Sequence, residues 1–283
     1  MDSVKKLFFP IGGGANFEER IYGALVVAKY LNAHIKFIAS QMDLGLIYDM
    51  QMVMKGGAVF NAFKDTMLAE LDDERQKNQD IFESLCKKAD IKISDKNIAN
   101  EATAEFKTKQ GVRSKVVEFE SKFCDLLVVA CPPNGDITAT FEAAVMKSGK
   151  SSIVIPRALK EFKTDDILIA WSGTINVSRA VTQAMFLLKQ AKRVHVISTS
   201  KYLSVAPNAK ENLLEYLAFH GVNATFEEVV PTNTPGEALL NNAVKGNFDM
   251  VIASSSGENG LKEMSLGGTT KYFLQNTKIP VFM

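Results

Sequence analysis

Two clusters of small residues near the end of the chain have the composition of an anion cradle. The apolar run Asp249–Ala253 (DMVIA) leads into Ser254-Ser255-Ser256-Gly257. After nine intervening residues come Gly267-Gly268-Thr269-Thr270 and the helical pattern KYFLQN. Phosphate oxygens are held well by backbone N–H donors, and small residues let the backbone turn those donors toward a ligand. A helix start adds N–H groups without partners in their own helix, backed by the positive end of its dipole. The hydroxyls of Thr269 and Thr270 can add direct contacts, while Leu261, Met264 and Leu266 would pin the segment between the clusters to a core. Glu258 and Glu263 read as solvated loop charges rather than a metal-holding hydrolytic pair.

Other candidate groups carry less. Gly12-Gly13-Gly14 follows an apolar run and reads as a tight turn, or as a close approach of backbone to a ligand. His34, His195 and His220 have no metal-ligand spacing. His195 falls between two valines in a strand, as a structural histidine would, and His220-Gly221 has the look of a helix end. The three cysteines, Cys86, Cys124 and Cys131, form no C-x-x-C pair, and Cys124 and Cys131 flank a buried run as small core residues do. No G-x-S-x-G, H-E-x-x-H or G-x-x-x-x-G-K-[ST] motif is present, so binding is favoured over catalysis. Trp171, the sole tryptophan, follows an apolar run and either lines a pocket or covers a sheet end.

The elements that must position these groups come in two matching series. Short, β-branched runs occur at Lys6–Pro10, Ile35–Ala39, Asp125–Ala130 and Ser152–Ile155, then again at Asp166–Ala170, Arg193–Ser198, Asp249–Ala253 and Ile279–Phe282. Runs of that length bounded by turn residues predict fully buried parallel strands. Helical periods lie between them, at Glu18–Leu31 and Val177–Leu188. Strand, glycine-containing turn and helix in KLFFPIGGGANFEERIYGALVVAKYL are repeated in DILIAWSGTINVSRAVTQAMFLL, and an Asp-led strand appears in both series. The chain is therefore expected to be two α/β domains, residues 1–158 and 164–283, joined through the charged stretch PRALKEFKT. Parallel strands need crossover helices, and ligands in such sheets bind beyond the strands' carboxyl ends.

The halves are unequal. Half one carries an arm over residues 41–80 with Met42, Met50, Met52, Met54 and Gly56-Gly57, then a long helical stripe of Phe63, Met67 and Leu71 with a charged outer face. The arm reads either as packing material or as an adaptable apolar surface for a ligand or protein partner. After its fourth run, half one has Cys131-Pro132-Pro133-Asn134-Gly135-Asp136, where two prolines remove N–H donors and no glycine pair follows. It is not expected to cradle a phosphate.

Composition bounds the partners. With 33 basic against 32 acidic residues in 283, no broad field recruits nucleic acid or an anionic membrane. No signal segment or membrane-length apolar run is found, and the cysteine usage fits a reduced compartment, so a soluble cytoplasmic protein is expected.

Ser254-x-x-Gly257-x9-Gly267-Gly268-Thr269, set between DMVIA and IPVF, is similar to the G-x2-G-x9-G-[ST] nucleotide loop of the universal stress protein family. AWSGTINVSRAVTQAMFLL resembles that family's opening strand, turn and helix, particularly in tandem bacterial members. The resemblance spans both halves and is strong from about Asp166 to Met283. It implies two tandem adenine nucleotide alpha hydrolase-like (Rossmann-like) domains, each a five-stranded parallel sheet flanked by helices. It also implies ATP or another adenine nucleotide, with Mg²⁺, in the second domain. Phosphate contacts would fall on Gly257, Gly267, Gly268 and Thr269, with adenine- and ribose-facing positions near Ser172 and Val196. The sequence departs from the family at Ser172, where an Asp is usual, at Ser254, where the first loop glycine stands, and at Gly268, where Ser or Thr is common. Pairing through last strands in the family implies an intrachain pseudo-dimer, with a homodimer open. Slow ATP hydrolysis or self-phosphorylation at Thr269 or Thr270, and an interaction scaffold built on the 41–80 arm, stand as the alternative functions.

Overall fold

The structure, a computed structural model, describes residues 4–12, 16–41, 58–132, 137–230, 234–254, 268–276 and 278–283. Within them half one contributes β1 (Lys6–Ile11), β2 (His34–Gln41), β3 (Lys92–Ile93), β4 (Thr103–Gln110), β5 (Leu126–Ala130) and β6 (Ser152–Ile155). Half two contributes β7 (Asp166–Trp171), β8 (Arg193–Thr199), β9 (Ala224–Val229), β10 (Met250–Ile252) and β11 (Val281–Phe282). The helices are α1 (Phe17–Leu31), α2 (Ala58–Ala89), α3 (Arg113–Glu120), α4 (Ala139–Glu142), α5 (Ile175–Gln183), α6 (Met185–Leu188), α7 (Ser200–Val205), α8 (Ala209–Phe219), α9 (Pro235–Lys245) and α10 (Gly268–Asn276).

All these strands join one sheet in the order β3-β4-β2-β1-β5-β6-β11-β10-β7-β8-β9. In each half the first strand is central: β2, β4 and β3 lie on one side of β1 with β5 and β6 on the other, and β8 and β9 lie on one side of β7 with β10 and β11 on the other. Half two has the five parallel strands expected of it, whereas β3, two residues long, extends half one to six. The central strands are covered on both faces, which is why their sequences are almost wholly apolar: Leu7, Phe8 and Phe9 of β1 and Ile167, Leu168 and Ile169 of β7 are all essentially inaccessible. The helices follow from caps as well as periodicity. Thr174 and Thr234 accept the N–H of Val177 and Glu237 at the starts of α5 and α9.

One contact recurs in both halves. Asp125 Oδ2 accepts the backbone N–H groups of Lys5 (2.9 Å) and Lys6 (2.8 Å), and Asp249 Oδ2 accepts that of Asp166 (2.9 Å). The Asp-led runs of the sequence are thus clamps that fix the start of β1 against that of β5 and the start of β7 against that of β10. A second pattern recurs with a shift of two residues along the strands. His34 Nδ1 meets Thr103 Oγ1 at 2.8 Å and His195 Nδ1 meets Thr225 Oγ1 at 2.7 Å, with Glu105 and Glu227 beside the other ring nitrogen. Both histidines tie neighbouring strands together inside the sheet.

The halves meet at the only antiparallel pair in that sheet order, β6 with β11, where Val154 opposes Val281 and Ile153 opposes Phe282. Ser152 and Met283 exchange backbone hydrogen bonds of 2.7 and 3.0 Å there, and the Cys131 thiol of half one donates to Leu274 O of α10 at 3.4 Å. The connecting stretch forms no strand. It buries Leu159 and Phe162, the latter edge-on to Tyr30 of α1, whose hydroxyl shares a hydrogen bond with Thr164.

The Met-rich stretch 42–57 lies outside the described residues. The helix expected after it is α2, 32 residues and so about 48 Å long. Its last turns bury Phe82, Leu85, Cys86 and Ala89, while Phe63 and Leu68 in its first turns are exposed. Gln41, at the end of β2, donates to Leu71 O at 2.9 Å, which marks where the helix passes the sheet's carboxyl edge.

All three cysteines are buried and unpaired with one another. Burial pushes the thiols of Cys86 and Cys131 up to about 12 and that of Cys124 to about 11. The thiolate is the reactive species, so the folded protein is expected to leave all three unmodified by an aromatic disulfide reagent at pH 8, and to release three equivalents in denaturant. Stoichiometric colour without denaturant would contradict this burial.

Candidate functional site

The site is built where the strand order of half two reverses. β7 and β10 are parallel neighbours with Ile169 opposite Ile252. The chain leaving β7 forms α5 on one face, packed over Ile167, Ile169 and Val196, and the chain reaching α10 packs Phe273 and Leu274 on the other face over Leu168 and Val251. Helices that diverge to opposite faces leave a crevice beyond the strand ends. Ser172 stands on its β7 side and Ser254 on its β10 side.

α10 begins at Gly268, next to the end of β10, because the hydroxyl of Thr270 donates to Ser254 O at 2.7 Å. Both residues are buried. This corrects one expectation: the Thr270 proton is committed to a backbone carbonyl, so Thr270 is a strut rather than a phosphate donor. The first-turn N–H groups of Gly268, Thr269 and Thr270 have no carbonyl four residues back within the helix, which leaves donors at the positive end of its dipole. Among the described residues nothing lies within 4 Å of where a Cβ would stand on Gly268, and Thr269 is half-buried. Gly236, in the first turn of α9, is required for this arrangement. A Cβ there would lie 2.8 Å from Tyr272 Cβ and 3.0 Å from Thr269 O. Gly257 and Gly267, with the rest of 255–267, lie outside the described residues.

On the opposite bank, Ser172 Oγ lies 3.2 Å from Thr174 Oγ1, and Gly173 between them has φ +70°. A Cβ at Gly173 would also stand 2.1 Å from the ring of Tyr202 in α7, so this position needs glycine on two counts. Val196 stands back from the rim of the crevice. It is fully buried within the sheet, opposite Ile169 and Phe226, and β8 runs three residues further to Thr199. The β8 residue near the rim is Ser198, whose hydroxyl donates to Trp171 O at 2.9 Å. Among the described residues no group of three or more His, Cys, Asp or Glu is placed to hold a metal ion.

This bank-and-helix geometry can be set beside known proteins. Residues 163–283 match the model of the universal stress protein family. The family match is confined to the second half of the chain. The whole chain also overlays on the crystal structure of a universal stress protein from Archaeoglobus fulgidus DSM 4304, with a TM-score of 0.67, 14% identity, and coverage of 100% of this chain and 98% of the other. A functionally unknown protein from Pseudomonas aeruginosa PAO1 is similar with a TM-score of 0.53, 13% identity, and coverage of 99% and 92%. At these identities the likeness is one of fold, and it extends over both halves. No curated protein sequence matches the chain.

Half one repeats the fold of the universal stress protein domain but fills its own strand ends differently. Continuing the β1–β5 register sets Gly12 opposite Cys131. The Arg20 guanidinium, buried in α1, donates to Gly12 O (3.0 Å) and Asn16 O (3.1 Å), and Arg157 donates to Cys131 O (3.0 Å). Burial, with Arg157 and Arg113 nearby, lowers Arg20 to about 10, so it remains charged at neutral pH. The glycine run reads from sequence as a tight turn or a close approach to a ligand, and the carbonyl of its first residue, Gly12, is taken by the protein itself. Gly13, Gly14 and residues 133–136 lie outside the described residues. Arg20 and Arg157 carry no sequence signal that separates them from surface arginines.

Proposed function

We propose that this is a tandem stress-response protein whose second domain binds ATP or a related adenine nucleotide at the β7–β10 crevice. The observation that carries the reading is the Thr270–Ser254 hydrogen bond, which holds the first turn of α10, whose N–H groups have no acceptor within the helix itself, at the carboxyl end of β10. The residues that would hold the phosphates are Gly268 and Thr269, with Gly257 and Gly267 from the sequence pattern. Ser172 would offer the sugar a neutral hydroxyl where the family usually has a carboxylate. Mg²⁺ would arrive with the nucleotide. The same reading places the protein in the cytoplasm and treats nucleotide as a signal or stabilising ligand rather than a substrate. Because β6 and β11 already pair inside the chain, those two strands are not free to pair with a second copy, and a homodimer would use another surface.

Calorimetric titration of the folded protein with ATP and Mg²⁺ is expected to give saturable heat. Gly268→Asp places a carboxylate at the start of α10, where it favours the helix dipole but repels phosphate. Affinity should fall about tenfold or more, a loss of about 1.4 kcal/mol, while thermal stability holds or rises. Absence of heat at millimolar ATP with protein shown to be folded would overturn the reading.

A further inference from the structure

Between α5 and α8, half two holds an open cleft of about 590 Å³. It lies on the face of the sheet that carries Trp171, whereas α10 packs on the opposite face. In half one the corresponding helices, α1 and α2, pack directly on each other. In half two α5 and α8 are bridged at the cleft by a 3.0 Å hydrogen bond between Thr182 and Tyr216. Half one has an opening of about 600 Å³ where the ends of α1 and α2 approach, but charged side chains including Lys29, Lys87 and Asp90 line it and no aromatic ring does.

Its chemistry is unlike that of the phosphate cradle. The lining includes the rings of Trp171, Tyr202 and Tyr216 and the amides of Asn208 and Asn212, and among the described residues no charged side chain lines it. Asn208, Asn212 and Tyr216 are spaced by four along α8 and its N-terminal cap, which brings them to one side of the helix. Asn208 makes no side-chain cap on α8, so its amide is not spent on the helix it precedes. The indole Nε1 of Trp171 is buried without a hydrogen-bond partner among the described residues. Buried donors are nearly always paired, so an orphan of this kind calls for an explanation.

We infer that this cleft is a binding site for an uncharged, planar heterocycle whose edge carries both donors and acceptors. Aromatic rings offer stacking faces to such a ligand, and each side-chain amide offers a donor beside an acceptor. Rotation of the indole toward the cleft would give its N–H a ligand acceptor. The volume lies within the range of small-molecule sites. Among the described residues no cation lines the cleft to replace the hydration that an anionic ligand would lose. The inference does not rest on nucleotide binding at α10, which uses other residues on the other face.

Trp171 is the only tryptophan in the chain, so its emission reports on the cleft without labelling. The full-length protein is titrated with uridine and nicotinamide as heterocycles, with uridine monophosphate as a charged counterpart, and with glucose as a ring lacking a π face. Expected is a saturable change with at least one of the heterocycles, insensitive to salt and absent with glucose and with uridine monophosphate. Ala209→Phe, which fills the cleft from the first turn of α8, and Asn212→Leu, on that helix's exposed side, should each weaken the response about tenfold. Gly268→Asp should leave it unchanged. If Ala209→Phe fails to fold, Asn212→Leu alone carries the comparison. No saturable change with either heterocycle, an equal response to glucose or to uridine monophosphate, or a response untouched by Asn212→Leu would overturn the inference.

Discussion

Phe282→Ala is expected to cost about 3–5 kcal/mol, the range for deleting a fully buried aromatic side chain. Phe282 is inaccessible, sits on β11 opposite Ile153 of half one, and lies 6.4 Å from the ring of Phe186. Its core cluster contains Leu7, Phe9 and Ile155 as well as Ile167 and Val196, so one apolar body spans the junction. Domain stabilities are commonly about 5–15 kcal/mol, and a loss of this size is a large fraction of that. Urea unfolding can be followed by far-ultraviolet circular dichroism, which sees both halves, and by Trp171 emission, which sees half two. The two signals are expected to shift together to lower urea in the variant. Phe219→Ala, at a side chain 83% exposed, should leave the midpoint nearly unmoved. A variant in which Trp171 emission shifts while a separate, unshifted transition remains in the dichroism would show that the halves fold independently.

That junction was legible only in part, and the reason is physical. Each of the eight apolar runs coincides with or overlaps a strand, because strands covered on both faces are apolar throughout and need no periodicity to be seen. β4 (TAEFKTKQ) and β9 (ATFEEV) left no such run. They lie toward the outer ends of the sheet, where half of each strand faces water and charges intervene; no residue of β9 is fully buried. The helical period expected over Val177–Leu188 is real, but the chain breaks it at Ala184 into α5 and α6. The pairing of β6 with β11 is a contact between chain segments more than a hundred residues apart, and only the family resemblance suggested it.

The site divides in the same way. Ser172, Ser254 and Gly268–Thr270 are local to strand ends and helix starts, and the fold brings them to one crevice. A motif gives sequence spacing but not the point at which a strand emerges from its sheet, and three further residues of β8 stand between Val196 and the rim. Thr270 was assigned a free hydroxyl because its partner, a backbone carbonyl sixteen residues away, has no side chain to announce it. Tyr202 over Gly173 and Arg20 on Gly12 O are likewise tertiary contacts of ordinary residue types.

Glu120→Gln should be the second large loss, about 3 kcal/mol, at the low end for breaking a buried ion pair from one side. Glu120 closes α3 and is buried; its Oε2 lies 3.0 Å from Lys36 Nζ on β2 and its Oε1 3.4 Å from Lys109 Nζ on β4. Lys109 is half-exposed and can return to water, whereas Lys36 is largely enclosed, so the amide would leave a mostly buried ammonium without its counter-charge. The same group shapes the acid limb of stability. Burial pushes the Glu120 carboxyl up, but Lys36 and Lys109 overcome that and hold it below its ordinary 4.5. Its contribution is therefore complete above that value and disappears as pH falls through the lower folded one, since the unfolded chain takes up the proton first. His34 adds an earlier step. Burial, opposed by Glu105, holds it below its ordinary 6.5, so the unfolded state again protonates first and stability declines as pH drops from 6.5 toward the folded value. Melting temperatures measured across this range should fall in two stages. His34→Gln should flatten the upper stage, and Glu120→Gln should lower the neutral plateau and flatten the lower stage. A Glu120→Gln protein that melts with the parent at neutral pH would show that the α3–β2–β4 ion pairs contribute no net stability to half one.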